Sequence, residues 1–485
     1  MNPRKIAIFF IGVLLALFAI TFISGQYKTS QGSVKEGIVL GNTMIKYPTS
    51  NILLKDNSPK NSKATQIIEE VTKAKEEKKT TPLVKKDSVA TSYEEENSKL
   101  VSNTEGKIYY PENATEFISQ LKEKLQQPNC QIIHYGDSQI EGDRITVYVR
   151  NRFQALFGGG GPGFIPIKIA YTQNSVNIQA SANWLRFASF DRFKRKKVPH
   201  QKYGLYATLS RFSDYNPADT ISVKKASFTI KPSSTAYNRL RKFTKFGLHY
   251  GNCSHPTKII VYQNGKLLKE DFLKADGKYH NFRLDFDETP QEIKVELESV
   301  TSPDFYGITL DEAKGVRMDN VAMRGEAGRI FTRLNHENFQ QMSAERKPDI
   351  FIFQFGGNTI PYIEQEKQIT DYVRSLIQNI KWVKRSNPKA SVIVIGPGDM
   401  STSENGKMIT YPFLIKLNEE MKNQCINNNI AFWSIYEAMG GENSMVAWVE
   451  KGMAASDYVH LKPKGTQIIS ELFFQHLHND ILAIK

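Results

Sequence analysis

Apolar positions mark two zones of the chain, separated by a long polar stretch. The first is the unbroken run Ile6–Ile23, which as a helix would reach about 27 Å, the depth of a bilayer's hydrocarbon core. From Gly25 to Gly106, Lys, Glu, Ser, Thr and Asn dominate, as in Lys73–Lys79. Such a segment buries too little apolar area to offset its chain entropy, so it reads as a tether with a transient helix near Thr65–Lys79. Sustained patterning resumes near Tyr110. Phe117, Ile118, Leu121 and Leu125 share one helical face, with Asn113 placed to cap the start. The apolar strand Gln131–Tyr135 follows and runs into Gly136-Asp137-Ser138, after which Gly142–Leu156 reads as a helix.

Four later runs, Val316–Met323, Asp349–Phe355, Ser391–Gly396 and Ile430–Ile435, fit strands buried on both faces. Helical stretches at Thr370–Val383 and Pro412–Asn427 separate the last three, and Pro463–His476 closes the chain. Strand alternating with helix predicts an α/β fold, a doubly wound parallel sheet whose ligand site lies beyond the carboxyl ends of its strands. Between Thr172 and Gly307 short alternating segments replace this pattern, and Asn264-Gly265 marks a hairpin. That part reads as an inserted all-β, sandwich-like module. The expected organisation is a signal anchor or transmembrane helix at 1–24, a disordered linker at 25–106, the α/β domain at 107–171 and 308–485, and the insert at 172–307.

Composition adjusts this picture in three ways. Arg4 and Lys5 precede the apolar run, so the remainder is expected outside the cytoplasm, either anchored in the membrane through residues 6–23 or secreted after cleavage. A net charge of +14 comes with no nucleic-acid motif, and reads as a solvated basic surface or as attraction to an anionic envelope polymer. Cys130, Cys253 and Cys425 are widely spaced and odd in number, which specifies no disulfide framework.

Chemistry enters with Ser138 at a strand end and Asp457-Tyr-Val-His460 in the tail. A serine hydroxyl needs a base within hydrogen-bond reach, and His460 can be that base through one ring nitrogen. Three residues earlier, Asp457 can meet the other nitrogen and fix the tautomer. Between them stand Asn320-Val-Ala-Met-Arg-Gly325 and Phe355-Gly-Gly-Asn358. These four blocks, in this order, resemble those of the SGNH (GDSL-type) hydrolase superfamily, over roughly residues 127–170 and 310–480. With a β insert between the first two blocks, the chain is most similar to exported peptidoglycan O-acetylesterases, although Gln139 stands where several members have histidine. The resemblance implies an SGNH/flavodoxin-like fold and a Ser138–His460–Asp457 triad. It also implies an oxyanion hole built from the Ser138 and Gly325 N–H groups and the Asn358 amide. Gly328 could fill the role of Gly325, and Asn358 could instead tie down a loop.

Other candidates carry less. The glycine-rich Phe157–Phe164 lacks the Gly-Lys-Ser/Thr ending of a phosphate loop and is expected to border the active site. His134 reads as a core or supporting histidine. His476, His478 and His336-Glu337 lack metal-ligand spacing, so neither metal nor cofactor is expected. Trp184, Phe187, Phe190, Tyr203 and Tyr206 fit sugar stacking or core packing alike. The expected activity is removal of O-acetyl groups from an envelope polysaccharide, peptidoglycan first, through an acetyl-serine. A lipase or thioesterase, a glycan O-acetyltransferase and a non-catalytic glycan-binding protein are the alternatives.

Overall fold

The computed structural model describes residues 3–28, 34–40, 43–47, 60–80, 106–217 and 221–484. Its central sheet comprises β1 (Ile108–Tyr109), β2 (Gln131–Gly136), β3 (Arg317–Ala322), β4 (Ile350–Gln354), β5 (Ser391–Gly396) and β6 (Ala431–Ser434), in the order β3-β2-β4-β5-β6-β1. The first five are parallel, as expected. The two-residue β1 closes the edge antiparallel to β6, which corrects the all-parallel expectation. Side chains alternate cleanly across this sheet. Tyr135, Phe351, Phe353 and Val394 meet Phe339, Leu376 and Met421 on one face. Ile132, Ile352, Ile395 and Trp433 meet Leu121, Val149 and Phe473 on the other. Burial on both faces explains why these strands are continuous apolar runs rather than alternating ones.

Most flanking helices follow the sequence within a few residues; His336–Arg346 was not expected. The face of Ile132 and Trp433 holds α3 (Ala114–Gln126), α4 (Thr146–Phe157) and α10 (Pro463–Ala483), the last running past its predicted end. On the face of Tyr135 and Phe351 lie α5 (His336–Arg346), α6 (Glu366–Lys384) and α7 (Leu414–Asn427). Asn113 does not cap α3 through its side chain and donates instead to Glu116, 2.5 Å away.

The insert is built from two sheets, of five and six strands, that share one apolar core. Phe228, Val261 and Val295 come from one sheet, and Leu248, Phe305 and Ile308 from the other. Asn264 and Gly265, both with positive φ, make the predicted hairpin. The boundaries lie wider than the sequence indicates. Gly163–Ile165 pairs with Asp304–Asp311, and that strand is buried along its whole length, so no polar alternation marks its end. A buried cluster pins the insert to the central sheet. Arg346 binds Asp311 at 2.7 Å and Asp319 at 2.7 Å, while Tyr206 and the Phe164 N–H also donate to Asp319.

Two expectations for the N-terminal part change. Part of the polar stretch is folded: α2 (Ser62–Thr80) packs on the α/β domain through Ala64, Ile67, Ile68 and Val71, a stripe at helical spacing hidden in a charged composition. Asn61 donates to the carbonyls of Gly440 and Glu442, and Lys451 pairs with Glu69. Gly25–Lys28, Val34–Leu40 and Thr43–Lys46 form a small antiparallel sheet. The rest of the expected tether, 29–33, 41–42, 48–59 and 81–105, lies outside the described residues. The apolar run does form α1 (Pro3–Ile23). Among the described residues, however, no helix is long and apolar enough to cross a membrane.

Candidate active site

β2 delivers Ser138 to the carboxyl edge of the sheet, at the start of a tight helical turn, Ser138–Asp143. The tail brings Asp457 and His460 to the same edge just before α10. Ser138 Oγ lies 3.0 Å from His460 Nε2, and His460 Nδ1 lies 2.8 Å from Asp457 Oδ2. The other Asp457 oxygen accepts the backbone N–H groups of Val459 and His460, each at 3.0 Å, so carboxylate and ring are locked in one loop. Burial pushes the Asp457 carboxyl up, but these N–H groups and the His460 ring outweigh it and hold the group below its ordinary range. It is therefore charged at neutral pH and suited to stabilise an imidazolium. Gln139, the position that departs from the family wording, donates to Val459 O at 3.0 Å and ties the nucleophile turn to the histidine loop.

The oxyanion side is built from two more loops. No described residue accepts the backbone N–H of Ser138 or of Gly325. Gly325 has φ +75° with open space where a side chain would project. Gly328 is different: a Cβ there would lie 2.7 Å from Leu376 and 2.9 Å from Phe355, so it serves packing. Asn358 Nδ2 donates to Asp137 Oδ2 and to Glu326 O, both at 3.1 Å. It thus bridges the nucleophile turn and the Gly325 loop, and an oxyanion would have to share or displace one of these bonds. Asn358→Ala is expected to lower kcat roughly a hundredfold or more on any ester, with KM little changed. Steady-state kinetics on an aryl acetate checks this.

Residue spacing alone did not disclose two supports. Asp137 is buried, and its Oδ1 accepts the Gln139 N–H at 2.9 Å. Arg144 donates to Ser138 O and, at 3.1 Å, to Glu141 O, fixing the turn from behind. Asp137 stands inside the Gly-Asp-Ser motif, but its role depends on loops more than two hundred residues away, and Arg144 acts on main-chain oxygens that no residue pattern records. Burial pushes the Asp137 carboxyl up to about 6, against the Gln139 N–H, His460, Arg144 and Asn358. A native pKa above the unfolded value means that the folded state binds the extra proton. Its contribution to stability is therefore full below about pH 4 and is lost as pH rises through 6, by on the order of 3 kcal/mol. Asp137→Asn removes that slope, and urea unfolding of both proteins from pH 4 to 7 should show the difference.

Several expected candidates lie elsewhere. His134 is buried, bonded to Thr146 Oγ1 at 2.9 Å, and burial brings its ring down to about 3, so it is a neutral core group. His476 accepts from the Trp433 indole at 2.9 Å. The glycine-rich loop does not border the nucleophile; Gly161 and Gly163 press against Leu310 and Met318 at the junction with the insert. Trp184 is core in the sandwich, and Phe187, Tyr203 and Tyr206 are core between the insert and the α/β domain. Cys130, Cys253 and Cys425 are unpaired and buried. A cavity of about 170 Å³ opens beside Ser138 and His460, walled by Ile145, Phe355, Met400, Ile435, Met439 and Met445.

Comparison with known proteins agrees with this geometry. Residues 299–473 match the model of the GDSL-like Lipase/Acylhydrolase family, a span that holds Gly325, Asn358, Asp457 and His460 while the insert separates Ser138 from it. Curated proteins gave no sequence match. Among solved structures, the chain is similar to a peptidoglycan O-acetylesterase, with a TM-score of 0.61 at 18% identity over 78% of this chain and 99% of that one. A family two carbohydrate esterase from Clostridium thermocellum aligns with a TM-score of 0.24 at 10% identity, over 61% of this chain and 98% of that one. For a putative GDSL-like lipase from Parabacteroides merdae the values are 0.25 and 13%, over 34% and 73%. The family match thus marks a GDSL-like Lipase/Acylhydrolase domain within residues 299–473, and the fold over most of the chain is similar to that of a peptidoglycan O-acetylesterase.

Proposed function

We propose that the protein is a serine esterase that removes O-acetyl groups from a cell-envelope polysaccharide, peptidoglycan first. The observation that carries this reading is the continuous Ser138–His460–Asp457 relay, open to a cleft. Ser138 Oγ attacks the ester carbonyl carbon while His460 Nε2 takes its proton. The Ser138 and Gly325 N–H groups, with the Asn358 amide, stabilise the charge that forms on the carbonyl oxygen. Collapse of this intermediate breaks the bond to the sugar oxygen, which takes the proton from His460, and acetyl-serine remains. Water then attacks with His460 again as base, releasing acetate.

Support for a glycan comes from the insert and from the fold shared with the peptidoglycan O-acetylesterase. Support for an envelope location comes from Arg4 and Lys5 ahead of the uncharged run 6–23, the pattern of an exported chain. The test is acetate release from O-acetylated peptidoglycan by the soluble part, with Ser138→Ala alongside. Release by the wild type alone supports the reading; equal release by the variant overturns the assignment of the nucleophile.

One observation favours a second reading. A cavity of about 150 Å³ admits a molecule the size of benzene, so the methionine-rich cleft has room for more than an acetyl methyl. A short-chain acyl esterase on the same site follows from that. In an aryl-ester series the O-acetyl reading predicts kcat/KM falling from acetyl to butyryl to octanoyl. A maximum at butyryl or beyond would favour the second reading.

A further inference from the structure

A second cavity, of about 250 Å³, opens where the insert meets the α/β domain. Glu141 and Gly142 of the nucleophile turn line it, with Arg186 and Phe190 from the insert and Tyr171 and Arg324 near its mouth. Two buried polar atoms here lack partners, Arg186 Nε and Glu141 Oε1. Arg186 makes no ion pair or hydrogen bond through its side chain among the described residues, and burial pulls its guanidinium below the ordinary value. The other Glu141 oxygen lies 3.5 Å from Arg324, whose guanidinium also takes up Tyr171 Oη at 2.9 Å and sits over that ring. Asp191 also lines the cavity, but its Oδ1 accepts the N–H groups of Phe193 and Lys194.

A buried donor and a buried acceptor in one cavity are costly unless something pairs with both. A carboxylate would serve Arg186 but be repelled by Glu141, and an amine the reverse. Neighbouring hydroxyls on a ring both donate and accept, and the ring's apolar face suits Phe190 and Tyr171. We infer that this cavity is a sugar-binding subsite, in which Arg186 and Glu141 grip the hydroxyl groups of a pyranose ring. Its place in the chain makes it useful: Glu141 follows Ser138 by three residues, and Arg324 immediately precedes Gly325. A sugar held here spans insert and α/β domain and positions a glycan chain against the nucleophile. The inference rests on the carbohydrate-esterase reading and adds to it where, and through which groups, the glycan is held.

The test is calorimetric titration of the full chain with tetrasaccharides of β-1,4-linked N-acetylglucosamine, glucose and xylose, none of which carries an ester to cleave. At least one is expected to bind, and Arg186→Gln and Glu141→Gln should each weaken it roughly tenfold, the weight of one charge-assisted hydrogen bond. Should Arg186→Gln fail to fold, the isosteric Glu141→Gln decides alone. Binding of none of the three, or affinity unchanged in the folded variants, overturns the subsite. Aryl acetate hydrolysis measured alongside separates the two ideas. Activity without sugar binding removes only the subsite; absence of activity removes the esterase reading itself.

Discussion

Ser138→Ala is expected to lower kcat/KM on an aryl acetate about ten-thousandfold while leaving the fold intact. The hydroxyl lies at the centre of the relay, 3.0 Å from His460 Nε2, and among the described residues no other hydroxyl bonds that ring. Residual turnover would come from the oxyanion donors acting on water. His460→Ala should fall to a similar level, because nucleophile and base act as one unit and their losses do not add. Asp457 differs: its side chain is 50% exposed, so water screens part of its effect on the imidazolium. Asp457→Asn should therefore cost less than either. Active-site titration beside the kinetics would distinguish lost chemistry from lost protein.

The largest effect on stability is expected at Arg150. Its guanidinium is fully buried and grips Asp143 with two hydrogen bonds, at 2.7 and 3.1 Å, while Nε donates to Met318 O at 2.6 Å. Ser175 also donates to Asp143, which has a positive φ and ends the nucleophile turn. Arg150→Ala leaves that carboxylate buried with its charge unmatched, at a cost of about 3–5 kcal/mol. Replacing both partners by apolar groups of similar volume, as in Asp143→Leu with Arg150→Met, should recover much of the loss. Urea unfolding of the single and double variants measures both. Because the pair ties the turn to β3, the single variant should also lose activity before it unfolds.

Where the sequence was readable, the reason is physical. The runs that became β2, β4 and β5 are apolar on both faces because helices cover both, and each ends where the chain must turn over the sheet edge. The Ser138–His460–Asp457 contacts were readable because Asp457 and His460 are local partners and Ser138 stands in a motif at a strand end. What escaped is equally specific. α2 rests on four apolar residues in a charged window, too few to outweigh composition. The insert boundary blurred because Asp304–Asp311 is buried against two cores, with Tyr306 facing one and Phe305 and Ile308 the other. Arg144, Glu326 and Asp137 support the site through backbone oxygens and distant loops, contacts that residue type does not encode.

On the proposed mechanism, Ser138 carries the acyl group between its two owners. Rapid quenching of the enzyme with an aryl acetate, followed by peptide mass spectrometry, reads this directly. One added acetyl group, located on Ser138, is expected to accumulate in the first turnover and disappear on further incubation. Acetyl found only on another residue, or acetate released at the full rate with no modification of Ser138, would contradict it.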